Sequence, residues 1–188
     1  MDINLSNKPA LLLIDIQKGL NDLAYYGGKR NNPRAEERAA ELLAFWRSRQ
    51  LPVIHVKHNG TPPSRLTKGS PGNDFKEITQ PIKGETVFEK EVNSAFIGTE
   101  LDAFLKKNSI RHLVLVGLTT AHCVSSTARM AGNLGYDTYI ISDATATFDT
   151  LGIDGQVYDA SLVHEICLAN LKDEFATVLT ADSLLSKF

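Results

Sequence analysis

Cysteine is scarce in this chain: there are two, Cys123 and Cys167, and no C-x-x-C pair. That leaves no disulfide framework and no dithiol redox motif, and it suits a reducing, cytoplasmic setting. An excess of either charge is also missing. With 20 Lys and Arg against 22 Asp and Glu, the net charge of −2 provides no basic footprint for nucleic acid or an anionic membrane. Long apolar runs are lacking as well. The first, Ala10 to Ile14, is cut by Asp15 and no basic segment precedes it, so neither a signal peptide nor a spanning helix is expected. There is no glycine-rich phosphate loop, internal repeat or low-complexity tract.

What remains is an ordinary globular composition, 43% hydrophobic and 22% charged over 188 residues, read as one domain spanning 1–188. Pro9 to Ile14 reads as a central strand buried on both faces, with Asp15 at its carboxyl end. Pro52 to His58 is a second strand. His55 and His58 lie three apart on it, so they point to opposite faces and cannot hold one ion together. Thr86 to Glu89 is a short third strand followed by Lys90, which taken alone is a surface lysine. Thr138 to Ile141 and Phe175 to Leu179 close the sheet. Asp143, just past the fifth strand, reads as a buried structural carboxylate.

Helices are expected between the strands. Ala35 to Arg49 places Ala39, Leu42, Leu43 and Trp46 on one face, and Thr99 to Lys107 and Val157 to Leu171 follow. In the last of these, His164 and Cys167 read as packing or capping groups. Alternating strands and helices imply an α/β fold with a parallel sheet. Ligands of such sheets bind beyond the carboxyl ends of the strands. Residues 59–84, rich in proline and glycine, form an unusually long connection and read as an ordered flap over the site.

The chain is organised around Arg111 to Gly135. Leu113 to Val116 is a buried strand that Gly117 ends, and Val124, Ala128 and Ala131 then share one helical face. Cys123 therefore falls at the start of a helix that follows a strand, where free backbone N–H groups and the helix dipole favour a thiolate. A free cysteine is more often buried and inert. The position acquires meaning through partners, and Asp15 and Lys90, each just after a strand, should gather with Cys123 on one sheet edge.

These segments resemble the isochorismatase-like cysteine hydrolases. The resemblance rests on Leu13-Ile14-Asp15-Ile16-Gln17, on Glu89-Lys90 with Asn93-Ser94-Ala95-Phe96, and on Val116-Gly117-Leu118-Thr119-Thr120 with His122-Cys123-Val124. Ser142-Asp143-Ala144-Thr145 adds to it, and the match runs over roughly residues 8 to 180 in order. It implies a three-layer α/β/α, Rossmann-like doubly wound fold with a six-stranded, mainly parallel sheet. It also implies an Asp15–Lys90–Cys123 triad: Cys123 the nucleophile, Asp15 the general base and acid, Lys90 the cation beside both. A cis peptide at Leu118–Thr119 and an oxyanion hole from the backbone N–H groups of Thr119 and Cys123 follow from it too. Gln17, Tyr25, Tyr26, Phe75, Asn93, Phe96, Thr120 and Phe148 are candidates for the substrate pocket.

The implied activity is cofactor-free and metal-free hydrolysis of a small amide, ureido or carbamoyl compound through a thioester, in a homodimer or homotetramer. The segment His55-Val56-Lys57-His58-Asn59 lacks the Asp-x-His metal motif of the family's nicotinamidases, which makes nicotinamide a poor substrate candidate. The presence of Cys123 points away from vinyl-ether cleavage of the isochorismatase type, which remains an alternative and predicts activity without the thiol. Another alternative is a thiol sensor or non-catalytic binding protein. Ala121 and Leu20 stand where many relatives have an acid and an aromatic, so the pocket shape is this chain's own.

Overall fold

The computed structural model describes residues 3–188. Its strands are β1 (Ala10–Ile14), β2 (Val53–His58), β3 (Thr86–Lys90), β4 (His112–Leu118), β5 (Asp137–Ala146), β6 (Thr150–Leu151), β7 (Val157–Tyr158) and β8 (Thr177–Leu179). Its α-helices are α1 (Ala35–Ser48), α2 (Leu101–Lys107), α3 (Ser125–Asn133), α4 (Ala160–Leu171) and α5 (Ala181–Leu185). Six strands form one parallel sheet in the order β3-β2-β1-β4-β5-β8, and β6 and β7 form a separate hairpin. Among the described residues no helix is long and apolar enough to cross a membrane.

The two-residue period of β1 divides the core. Ala10, Leu12 and Ile14 pack with Leu101 and Leu105 of α2, Ala128 and Ala131 of α3, and Leu168 and Leu171 of α4. Leu11 and Leu13 pack on the other face with Ala39, Leu42, Leu43 and Trp46 of α1 and Leu184 of α5. All five residues of β1 are buried, as a strand covered on both sides must be. Three layers result. Trp46, fully buried, donates its indole N–H to the Pro9 carbonyl at 2.8 Å and fixes α1 against the start of β1.

Several boundaries differ from the sequence reading. Strand β5 runs on through Ser142 and Asp143 to Ala146, shifting register against β4 between Leu115 and Gly117. Asp143 is not buried: it is a partly exposed acid that pairs with Arg38 at 3.0 Å and caps α5 by accepting from the Ala181 N–H. Helix α4 starts at Ala160, because Val157 and Tyr158 are taken by the hairpin and Asp159 supplies the N-cap.

The sheet order reverses direction between β1 and β4: the chain proceeds outward from β1 through β2 and β3, then from β4 through β5 and β8. Such a switch opens a crevice at the carboxyl ends of the two central strands. Gly117 lets those ends close up. Its φ is +123°, and a Cβ placed there would lie 2.0 Å from the Ile14 carbonyl oxygen.

Candidate active site

Asp15 follows β1 directly and adopts φ 51°, a left-handed conformation that aspartate tolerates better than most residues. Its N–H still bonds the Val56 carbonyl at 2.9 Å, so the ladder reaches the turn and the side chain leaves the sheet there. Strand β3 brings Lys90 alongside, since Lys90 and His58 are register partners at the ends of β3 and β2. Lys90 is not a surface lysine. It is 1% exposed and donates from Nζ to Asp15 Oδ2 at 2.6 Å and to His58 Nδ1 at 3.0 Å. Because the ammonium can only donate, Nδ1 of His58 is the acceptor, and the neutral ring carries its hydrogen on Nε2.

Cys123 sits in a π-helical turn, Thr120–Val124, that precedes α3. The sulfur, an Asp15 carboxylate oxygen and a His58 ring nitrogen all lie within 4.8 Å of one another. The sulfur also approaches Asn93 Oδ1 at 3.8 Å. The Leu118–Thr119 peptide is cis, and the turn it opens carries both Thr119 and Cys123. The turn is held from behind by a group that sequence reading left as packing: His164, buried, lies with Nδ1 2.9 Å from the Thr120 hydroxyl. Asn32 reaches across to the same histidine at 3.4 Å while donating to the Ser142 and Thr145 carbonyls.

Burial dominates the electrostatics. It raises the Asp15 carboxyl, against the opposing pull of the Lys90 ammonium, the Cys123 thiol and His58. Burial likewise pushes the Cys123 thiol well above its ordinary range, and the Asp15 charge adds to the rise while Lys90 opposes it. The pull toward a thiolate expected from the helix start is therefore opposed by burial and by the neighbouring Asp15 charge. His58 is lowered, first by burial and then by Lys90, in keeping with its neutral ring. Asp15 Oδ1 is buried with no hydrogen-bond partner, which leaves one carboxylate oxygen able to take a proton.

A cavity of about 260 Å³ opens over these groups. Of the sequence candidates, Asp15, Cys123, Thr119, Tyr26, Asn93 and Phe148 line it. Tyr26 and Phe148 stack at 5.1 Å with a 20° interplanar angle, forming one wall. The other candidates stand elsewhere. Gln17 is fully buried, bonding the His58 carbonyl and N–H and the Asn73 carbonyl. Tyr25 is exposed under the Arg65 guanidinium, Phe75 packs edge-on to His55, and Phe96 stacks on Tyr136 in the core. Thr120 is buried behind the turn.

The pocket candidates read from the sequence did not include His58, His122, Ser64, Leu66, Asp149 and Thr150, all of which line the cavity. The exclusion of a His55–His58 pair is consistent with the geometry, since His55 points away to Glu85 at 2.8 Å. That same alternation could have placed His58 beside Asp15. Ser64 and Leu66 come from the long connection after β2. It is tied down by Arg65 to Asp22, by Lys76 to Glu36, and by Asn73 Nδ2 to the carbonyls of His58 and Leu66.

The profile of the isochorismatase domain matches residues 9–183. The chain is 46% identical over 185 residues to the isochorismatase family protein YrdC of Bacillus subtilis, covering 98% of each. It is 29% identical over 156 residues to the maleamate amidohydrolase of Pseudomonas putida, covering 75% of this chain and 73% of that one. A crystal structure of an isochorismatase-family protein from Chromobacterium violaceum superposes with a TM-score of 0.93 at 42% identity, covering 100% of this chain and 98% of the other. The strand order, the crevice and these relatives agree: the chain belongs to the isochorismatase family of hydrolases.

Proposed function

We propose that the protein is a cysteine-dependent hydrolase of a C–N bond in a small amide, ureido or carbamoyl compound, with Asp15, Lys90 and Cys123 as its catalytic triad. The observation that carries this reading is a single buried cluster. Lys90 is held 2.6 Å from Asp15, with side-chain exposures of 0% and 2%, beside a thiol that lines a cavity. A buried ion pair is poor stabilisation on its own, and one placed against a nucleophile at a cavity floor suits chemistry better than folding.

The sulfur attacks the carbonyl carbon as its proton passes to Asp15, and the S–C bond forms as the C=O π bond opens. The backbone N–H groups of Thr119 and Cys123 serve the developing oxyanion. Asp15 returns the proton to the departing nitrogen as the C–N bond breaks, giving a thioester. It then takes a proton from a water molecule whose oxygen attacks that thioester, and returns the proton to the sulfur as the C–S bond breaks, releasing the acid and regenerating the thiol. Lys90, hydrogen-bonded to Asp15, lowers the cost of each anionic species. His58, through Nδ1, holds Lys90 in place. A thiol with a raised pKa fits this scheme, because proton removal is coupled to attack and requires no standing thiolate.

The test is a panel of small amides assayed with wild-type protein and Cys123→Ala, together with mass spectrometry of the wild type during turnover. The expected result is an acyl adduct on Cys123 and no turnover by the variant. Amide turnover retained by Cys123→Ala, or none by the wild type on any member of the panel, would sink the reading.

A further inference from the structure

The charges around the cavity say which amides fit it. Among the described residues its lining holds no lysine or arginine, and its two acids are Asp15 and Asp149. Asp15 is neutralised by Lys90, whose ammonium is turned inward to Asp15 and His58 and is itself 1% exposed. Asp149 accepts at Oδ1 from the Ala160 N–H at the start of α4, and it lines the cavity with no lysine or arginine among the other lining residues.

Two arginines on the segments that build the rim are paired with acids outside the cavity lining. Arg65, between the lining residues Ser64 and Leu66, pairs with Asp22 at 2.6 Å. Arg30, whose backbone bridges to Phe148, pairs with Glu36 at 2.6 Å. The His58 ring is kept neutral by burial and by Lys90. The apolar part of the lining is Leu20, Leu66 and Leu118 with the stacked Tyr26 and Phe148.

From this we infer that the substrate is an uncharged amide and not an amide bearing a carboxylate, the body of the molecule lying against the Tyr26–Phe148 wall. The inference rests on the amide-hydrolase reading above. A carboxylate entering the cavity would lose water, find no lysine or arginine in the lining to pair with and approach the acid Asp149. An isosteric carboxamide loses far less on leaving water and carries no charge to be repelled, and its N–H groups suit the acidic side of the cavity. Specificity of this kind arises from what the site leaves unpaired.

The test uses two pairs of molecules that differ by O⁻ against NH2: maleamate with maleamide, and terephthalamate with terephthalamide. Each is scored at pH 8 for protection of Cys123 in the wild-type protein from alkylation by iodoacetamide, which needs no turnover. Each diamide is expected to halve the alkylation rate at a concentration at least tenfold below that of its acid partner. Equal or better protection by the acids overturns the inference, and so does protection by none of the four at millimolar concentration. The hydrolase reading fails separately, on the activity of Cys123→Ala.

Discussion

The Lys90 ammonium lies 2.6 Å from the Asp15 carboxylate in a place where neither side chain meets solvent, and the same nitrogen lies 3.0 Å from His58. One donor therefore joins the ends of three strands, β1, β2 and β3. Removing half of such a pair leaves a buried charge without compensation, at a cost of about 3–5 kcal/mol. Lys90→Met should lower stability by that order in urea denaturation and abolish turnover. The double variant Asp15→Asn, Lys90→Met should regain much of the stability and none of the activity. A Lys90→Met protein as stable and active as wild type would show that the ammonium does not hold the site.

The thiol offers a second prediction. Burial raises it first and the Asp15 charge raises it further, so alkylation by iodoacetamide should be slow near pH 7 and climb steadily with pH. Asp15→Asn removes the repelling charge. It should quicken alkylation at pH 8 while turnover is lost, splitting reactivity from catalysis in one variant. Slower alkylation in Asp15→Asn would mean that the carboxylate activates the resting thiol.

Three histidines, His55, His58 and His164, are lowered by burial before any other cause. For such a group the unfolded chain takes up the proton first. Its contribution to stability is complete above the ordinary imidazole value and is lost as pH falls below it. Stability should therefore decline from about pH 6.5 downward, by at most about 1.4 kcal/mol per pH unit for each histidine. Glu85 acts in a lower window. Burial pushes it up, but Arg47, the Ile82 N–H and His55 hold it down to about 2, so its contribution is intact above the ordinary carboxyl value and lost as pH falls toward 2. Denaturation curves across pH 3 to 8 for wild type, His55→Gln and His164→Asn check this, the variants showing the shallower slope above pH 5.

Gly117 provides a steric prediction. Gly117→Ala forces a methyl group onto the Ile14 carbonyl, whereas Gly135→Ala meets only its own positive φ, with no heavy atom within 4 Å of the new Cβ. Both should destabilise, by more than about 1 kcal/mol for a left-handed site. Only Gly117→Ala should also lower turnover, because it separates the strand ends that carry Asp15 and the Cys123 turn. Equal activity in the two variants would show that the β1–β4 approach does not set the site.

The central strands were legible because each is an apolar run ending on a glycine or a polar residue, and the sheet edge on which Asp15, Lys90 and Cys123 meet followed from three strand ends. What escaped depended on contacts between segments. Alternation along β2 turns His58 away from His55, but its meeting with Lys90 follows only from the register of β2 with β3. Gln17, a pocket candidate, lies two residues past Asp15 and would share its face if the strand continued. Asp15 leaves the extended region at φ 51°, so alternation stops there and Gln17 turns into the loop instead. Ser142 and Asp143 look like the end of a strand, yet β5 passes through them because Asp143 finds Arg38 and the start of α5. Tyr25, Phe75 and Phe96 were drawn to the pocket by residue type alone, and each is held by a neighbour outside it.

Lys90 ends β3, the outermost strand of the sheet, whereas Asp15 and the Cys123 turn follow the two innermost. Border strands fray before central ones, since they are laddered on one side only. Warming should thus loosen the ammonium from its carboxylate while the middle of the molecule keeps its amide protons. Thermal inactivation ought to run several degrees ahead of global melting, with exchange at Thr86–Lys90 marking the onset.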